Sequence, residues 1–168
     1  MAVVDSAAAG MAAAGRASIL QLRAPDLGGR RLEQEAARLV SSSPVPVIVS
    51  SRCDVVLATG AAGVNLPERD IAVAEARSLL GDRLVGRSVH SEEAALAAER
   101  DGADFVIFGP VWESASHPGA RASGVGALAA LVRAVRLPVI AIGGVTAERV
   151  AECSEAGAAG YAAIGLFS

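Results

Sequence analysis

The stretch PVIAIGGVTAERV, Pro138–Val150, runs from a short apolar segment into two adjacent glycines and then into an amphipathic helical pattern. A tight strand-to-helix turn requires one glycine. Gly143 and Gly144 together point to something outside the chain that comes close to the backbone, where a side chain would obstruct it. The same order of strand, turn and helix recurs along the chain, and that recurrence decides the fold class.

Short, nearly continuous apolar runs read as strands at Ala17–Arg23, Val45–Ser50, Gly63–Pro67, Arg83–Val89, Asp104–Val111, Pro138–Gly144 and Gly160–Gly165. Strands covered on both faces have this character. Between them the period changes to that of helices at Arg30–Val40, Ile71–Leu80, Glu92–Asp101, Val125–Val135 and Thr146–Ala156, with a shorter one at Cys53–Thr59. Ser91 before Glu92 and Glu93 reads as an N-cap followed by first-turn carboxylates, which suit the positive end of the helix dipole. A weak repeat supports the scheme: GAAGVNL at Gly60, GADFVIF at Gly102 and GAAGYAAI at Gly157 each close a helix and launch a strand. Alternating strands and helices with right-handed crossovers give a parallel sheet, either open and doubly wound or most of a (β/α)8 barrel.

With 168 residues, the chain supports one domain, residues 1–168, with one core. Its 52% hydrophobic content comes mostly from Ala, Val, Leu and Ile, which suit helices packed closely on a buried sheet. A formal charge of −3 gives no electrostatic reason to expect nucleic acid or an anionic membrane as partner. Cys53 and Cys153 stand far apart without zinc-ligand spacing and are expected reduced, near the core. No apolar run reaches membrane-spanning length and no signal-peptide pattern opens the chain, so a cytoplasmic location is expected.

In a barrel, the loops after strands seven and eight often build a phosphate site from backbone N–H groups. Gly143 and Gly144 follow the next-to-last strand and Gly165 the last, so these three are the expected phosphate-binding residues, aided by the helix start near Thr146.

The blocks ILQLRAPDL, VIVSSRCDVVLATGAAGVNLPERDI, LVGRSVHSEEAALAAERDGADFVIFGPVWES and LPVIAIGGVTAERVAECSEAGAAGYAAIGLF resemble consecutive blocks of the thiamin phosphate synthase/TenI superfamily. The likeness runs in order from Ser18 to Phe167, and GRSVHS looks more like the TenI, thiazole tautomerase-like branch. The resemblance implies a TIM-type (β/α)8 barrel. The barrel expected here is incomplete, because no counterpart of the first strand or of the last helix is found. Such a barrel would expose two sheet edges, which predicts a homodimer or swapped pairing to cover them, or else a truncated gene product.

Carried onto this chain, the resemblance keeps Arg23 as a substrate-binding residue but puts Pro25 where a lysine is usual. Ser50-Ser51-Arg52 replaces an Asn-Asp pair. Asp70 matches a metal-binding aspartate, so Mg2+ is implied only for a synthase-like chemistry. Ser88 matches a pyrophosphate-contacting serine, and Ser114 and Ser116 keep the hydroxyls of the loop after the sixth strand. There His117 stands in place of a lysine and carries less positive charge at neutral pH. These losses fall on the pyrophosphate half of a synthase site and leave the glycine half intact.

The tautomerase branch has a histidine after Phe-Gly at the end of the sixth strand, where this chain has Pro110 after Phe108-Gly109. Moving a proton between ring positions suits an imidazole. His90, His117 and Glu113 are therefore the candidate acid/base groups. The expected function is binding of a thiazole phosphate by a thiamin-biosynthesis protein, with thiazole tautomerisation as its activity. The alternatives are a non-catalytic phosphate-ligand-binding or regulatory relative and a residual thiamin phosphate synthase.

Overall fold

The computed structural model describes residues 1–114, 119 and 121–167. Among them are eight parallel strands: β1 (Ala2–Val4), β2 (Leu20–Leu22), β3 (Val47–Ser50), β4 (Gly63–Leu66), β5 (Leu84–Val89), β6 (Phe105–Phe108), β7 (Val139–Ile142) and β8 (Gly160–Ala162). They pair in sequence order, each in register with the next. The helices α1 (Ala7–Ala13), α2 (Gly29–Ser42), α3 (Cys53–Thr59), α4 (Val73–Leu80), α5 (Glu92–Arg100), α6 (Gly124–Ala134) and α7 (Val150–Glu155) alternate with them. The result is a TIM-type (β/α)8 barrel. The helices anticipated at Arg30, Ile71, Glu92 and Val125 are found with ends displaced by a residue or two. The helix expected from Thr146 is divided instead: a 3-10 turn, Ala147–Arg149, precedes α7.

The expected absence of a first strand is corrected. Ala2-Val3-Val4 pairs with Leu20-Gln21-Leu22, and Ala2 bridges Ala163 on the other side. Val3 N–H donates to the Ala163 carbonyl at 3.0 Å and Ala163 N–H to the Met1 carbonyl at 3.2 Å, which closes the ring. Three residues are too few to display a period, and the Ala-rich helix that follows dominates any sequence window containing them. Ser6 separates the two elements by accepting from the Ala9 N–H as the N-cap of α1. The two sheet edges that motivated the homodimer are thus joined to each other. After β8, the described residues form a 3-10 turn, Gly165–Phe167, rather than an α-helix.

Period-two alternation sorts the side chains. One buried cluster, with Met1, Val3, Ile48, Phe105, Ile107 and Ala162 at its centre, fills the barrel interior. The larger one, including Leu20, Leu22, Val49, Val64, Leu66, Val85, Leu128 and Leu131, lies between the sheet and the helices. Inside, small residues make room for large ones: a Cβ at Gly86 would lie 2.2 Å from the Phe105 ring. Cys53 and Cys153 are free and buried. Burial pushes both thiols above their ordinary range, with Asp70 and Asp54 adding to the effect at Cys53 and Glu152 at Cys153. No helix among the described residues is long and apolar enough to cross a membrane.

Ring closure has a direct readout. The amides of Val3 and Ala163 are expected to exchange with solvent slowly, like those of central strands. Exchange at both as fast as at loop amides would show that β1 does not close the barrel.

Candidate functional site

The inward face changes character at the C-terminal ends of the strands. Gln21 on β2, Ser50 on β3, Asn65 on β4 and Ser88 on β5 form a polar arc on four neighbouring strands, all lining one cavity of about 400 Å³. Gln21 Nε2 donates to Ser50 Oγ at 2.8 Å. Asn65 Nδ2 donates to Ser88 Oγ at 3.0 Å. Both amides are buried, and the carbonyl oxygens Gln21 Oε1 and Asn65 Oδ1 have no hydrogen-bond partner among the described residues. Buried acceptors of this kind cost about 1–3 kcal/mol each, so a mouth built around two of them is suited to a ligand that donates hydrogen bonds. Val3, Ile107 and Ile142 supply apolar walls opposite the arc.

His90 follows β5 in the same parity as Ser88 and lines the mouth. Its Nδ1 is hydrogen-bonded to the Gly109 carbonyl, and its Nε2 lies 4.0 Å from Glu68 Oε2. A carbonyl can only accept, so Nδ1 carries the hydrogen and, in the neutral ring, Nε2 carries the lone pair.

Gly143 borders both this mouth and an adjoining recess of about 380 Å³, which share it with Ser114 and Ile142, and Gly144 borders the recess. Gly143 and Gly144 both have positive φ, at 92° and 65°. Their closest neighbour is the chain itself, which corrects the expectation of an outside group on that side. A Cβ on Gly143 would lie 2.6 Å from Pro110 Cα, and one on Gly144 would lie 2.5 Å from the Glu113 carbonyl oxygen. Two different segments engage the glycine carbonyls. Trp112 N–H donates to the Gly143 carbonyl at 3.1 Å, and Arg149 Nη1 donates to the Gly144 carbonyl at 2.7 Å.

In a planar trans peptide, each carbonyl points away from the N–H that follows it. The Gly144 N–H therefore points away from the Trp112 amide and the Val145 N–H away from the Arg149 guanidinium, and both residues line the recess with Gly165. Among the described residues, none of these three N–H groups donates a hydrogen bond. Successive outward N–H groups at glycines form a concave site suited to an anion.

The other anticipated residues are placed as follows. Arg23 lines the mouth, with its guanidinium unpaired among the described residues. Ser114 borders both hollows, and Gly165 borders the recess with open space where a Cβ would stand. Glu113 is exposed and lines neither hollow. Arg52 turns to Asp54, donating from Nε at 2.8 Å and from Nη2 at 2.5 Å. That guanidinium holds the Asp54 carboxyl below its ordinary range. Trp112 is a loop anchor, with the Arg149 guanidinium 5.2 Å over its ring. Ser116 and His117 lie outside the described residues.

Asp70 Oδ1 accepts from the Ile71 N–H at 2.8 Å, and Asp70 does not line the mouth. No three His, Cys, Asp or Glu side chains come together among the described residues. These residues do not fit a protein-built Mg2+ site. Gln21, Ser50, Asn65 and Glu68 were not anticipated. The signal for Asn65 and Glu68 lies in GVNLPE, where a lone amide interrupts an apolar strand and a carboxylate follows its end.

A TIM-type barrel with a polar mouth at the strand C-termini and a glycine-lined recess after β7 and β8 is the class these features define. Residues 4–167 match the family described as thiamine monophosphate synthase (TMP-TENI), and the chain belongs to that family. The thiamine-phosphate synthase of Chloroflexus aurantiacus is 38% identical over 154 residues, covering 89% of this chain and 71% of that protein. The putative thiamine-phosphate synthase 2 of Aquifex aeolicus is 36% identical over 152 residues, covering 89% and 82%. Among solved structures, thiamine phosphate pyrophosphorylase from Pyrococcus furiosus superposes with a TM-score of 0.86 at 29% identity, covering 97% of this chain and 83% of that one. These relatives carry synthase names, and none of them is described as TenI-like.

The two kinds of glycine separate by substitution. Gly144→Ala is expected to lower stability by at least about 1–2 kcal/mol through the left-handed backbone alone, with or without ligand. Gly165→Ala meets no neighbour and should leave the melting temperature nearly unchanged. Thermal unfolding of both variants checks this.

Proposed function

We propose that the chain is a TenI-like member of its family, which holds a thiazole phosphate with the phosphate in the glycine recess and the ring in the polar mouth. The observation that carries this reading is the backbone arrangement after β7. Trp112 and Arg149 engage the Gly143 and Gly144 carbonyls, which turns the N–H groups of Gly144 and Val145 to the opposite side, and both residues line the recess with Gly165. Backbone donors of this kind recognise an anion without a cationic side chain.

The activity proposed with it is thiazole tautomerisation, with His90 as proton carrier. Nε2 takes a proton from a ring carbon, and the resulting imidazolium, which has Glu68 beside it, returns a proton to a second ring position. The reaction is an isomerisation with no net change of atoms or charge. Arg23 at the rim is placed to meet a carboxylate on the ring.

Thiamin phosphate synthesis is the second reading, favoured by the names of the relatives at 36–41% identity. The pyrophosphate half of this chain weighs against it, because Pro25 and the Ser50-Ser51 pair stand where the family has charged or metal-facing groups.

Calorimetric titration separates the readings. Thiazole phosphate is expected to bind alone, and the synthase's pyrimidine pyrophosphate with Mg2+ is expected to give no heat. Binding of the pyrophosphate would favour the synthase. On thiazole carboxylate phosphate, His90→Gln should lower turnover by roughly 10²–10⁴-fold while leaving binding in place. Wild-type binding without turnover would assign the chain to the non-catalytic, ligand-binding alternative.

A further inference from the structure

Arg149 lines neither the mouth nor the recess, yet it contacts both elements that shape the recess. It sits in the 3-10 turn that precedes α7. Its Nη1 holds the Gly144 carbonyl, and its guanidinium lies over the Trp112 ring. Trp112 in turn packs against Gly144 and donates its backbone N–H to the Gly143 carbonyl. The Gly144–Val145 peptide is therefore fixed through Arg149, and the Gly143–Gly144 peptide through Trp112.

From this geometry we infer that Arg149 is a positioning residue for the anion recess: by holding the Gly144 carbonyl, it aims the Val145 N–H at the bound phosphate without touching the ligand. The inference rests on the phosphate reading of that recess. A charge-assisted bond to the carbonyl also polarises the peptide, making the Val145 N–H a stronger donor. Arginine suits the task because its planar group can stack on an indole while donating sideways in its own plane. Lysine could donate to the same carbonyl but could not stack, and methionine could fill the space but could not donate.

The test titrates inorganic phosphate into wild type, Arg149→Met and Arg149→Lys, following backbone amide resonances by NMR alongside melting temperatures. In wild type, the Gly144 and Val145 amide protons are expected to move on phosphate addition. In Arg149→Met, the Val145 response should be lost selectively and phosphate affinity should fall roughly tenfold. Arg149→Lys should recover part of both.

Affinity and Val145 response unchanged in Arg149→Met would overturn the inference and leave the phosphate reading standing. Equal loss at Gly144 and Val145, in step with a lowered melting temperature, would reduce Arg149 to a structural role and overturn it as well. If the Met variant does not fold, Arg149→Lys decides: weakened phosphate binding centred on Val145 supports the inference, and wild-type behaviour overturns it. Silence of both amides in wild type would remove the phosphate reading, and this inference with it.

Discussion

The carbonyls of Gly143 and Gly144 are both engaged, one by the Trp112 N–H of the loop that follows β6 and one by Arg149 of the turn after β7, whose guanidinium lies over the Trp112 ring. Much of the site depends on that commitment. It sets the direction of the two following N–H groups, because a trans peptide turns them opposite to its carbonyl. It also brings the loop so close that neither position can carry a Cβ without a clash, Pro110 standing behind Gly143 and Trp112 and Glu113 behind Gly144. The two glycines thus answer to the protein on one face and present donors on the other.

The barrel supplies the frame for this arrangement. Because β8 closes onto β1 through the Val3–Ala163 bond, the inward positions of all eight strands converge on a single axis. Below, Phe105 and its apolar neighbours fill the interior. Above, two amides and two serines replace them on β2 to β5, and the amide oxygens are left without partners among the described residues. A core optimised for stability alone would avoid such acceptors. Their placement at the strand C-termini, where barrels bind ligands, fits a site in which local consistency gives way to recognition.

The sequence displayed the frame better than the site. The other seven strands and most helix starts were legible because the apolar runs that contain them extend over enough residues to be recognised. β1 was not, since Ala2–Val4 has no longer apolar run around it and gives way almost at once to the Ala-rich α1, and only pairing with Leu20–Leu22 and Ala163 makes it a strand. The need for glycine at 143 and 144 could be read from the chain, but its cause could not. The residues that crowd those positions lie at Pro110–Glu113, and only the fold brings them together. Ser88 could be named through the family resemblance and His90 as one of the chain's two histidines, and the structure sets both at the mouth. Gln21 and Asn65 were hidden inside apolar strands, and Glu68 in a turn. Arg52, at a strand end, could be read from the sequence either as a ligand-facing group or as a partner of Asp54 or Asp70, and it is taken by Asp54.

The central claim is that backbone N–H groups after β7, rather than charged side chains at the mouth, receive the anionic end of the ligand. A crystal structure of the chain with thiazole phosphate tests it most directly. Phosphate oxygens are expected within hydrogen-bond distance of the Gly144, Val145 and Gly165 nitrogens, with the ring lying between the Gln21–Ser88 arc and Ile142. Phosphate seated on Arg23, with the glycine recess filled only by solvent, would contradict it.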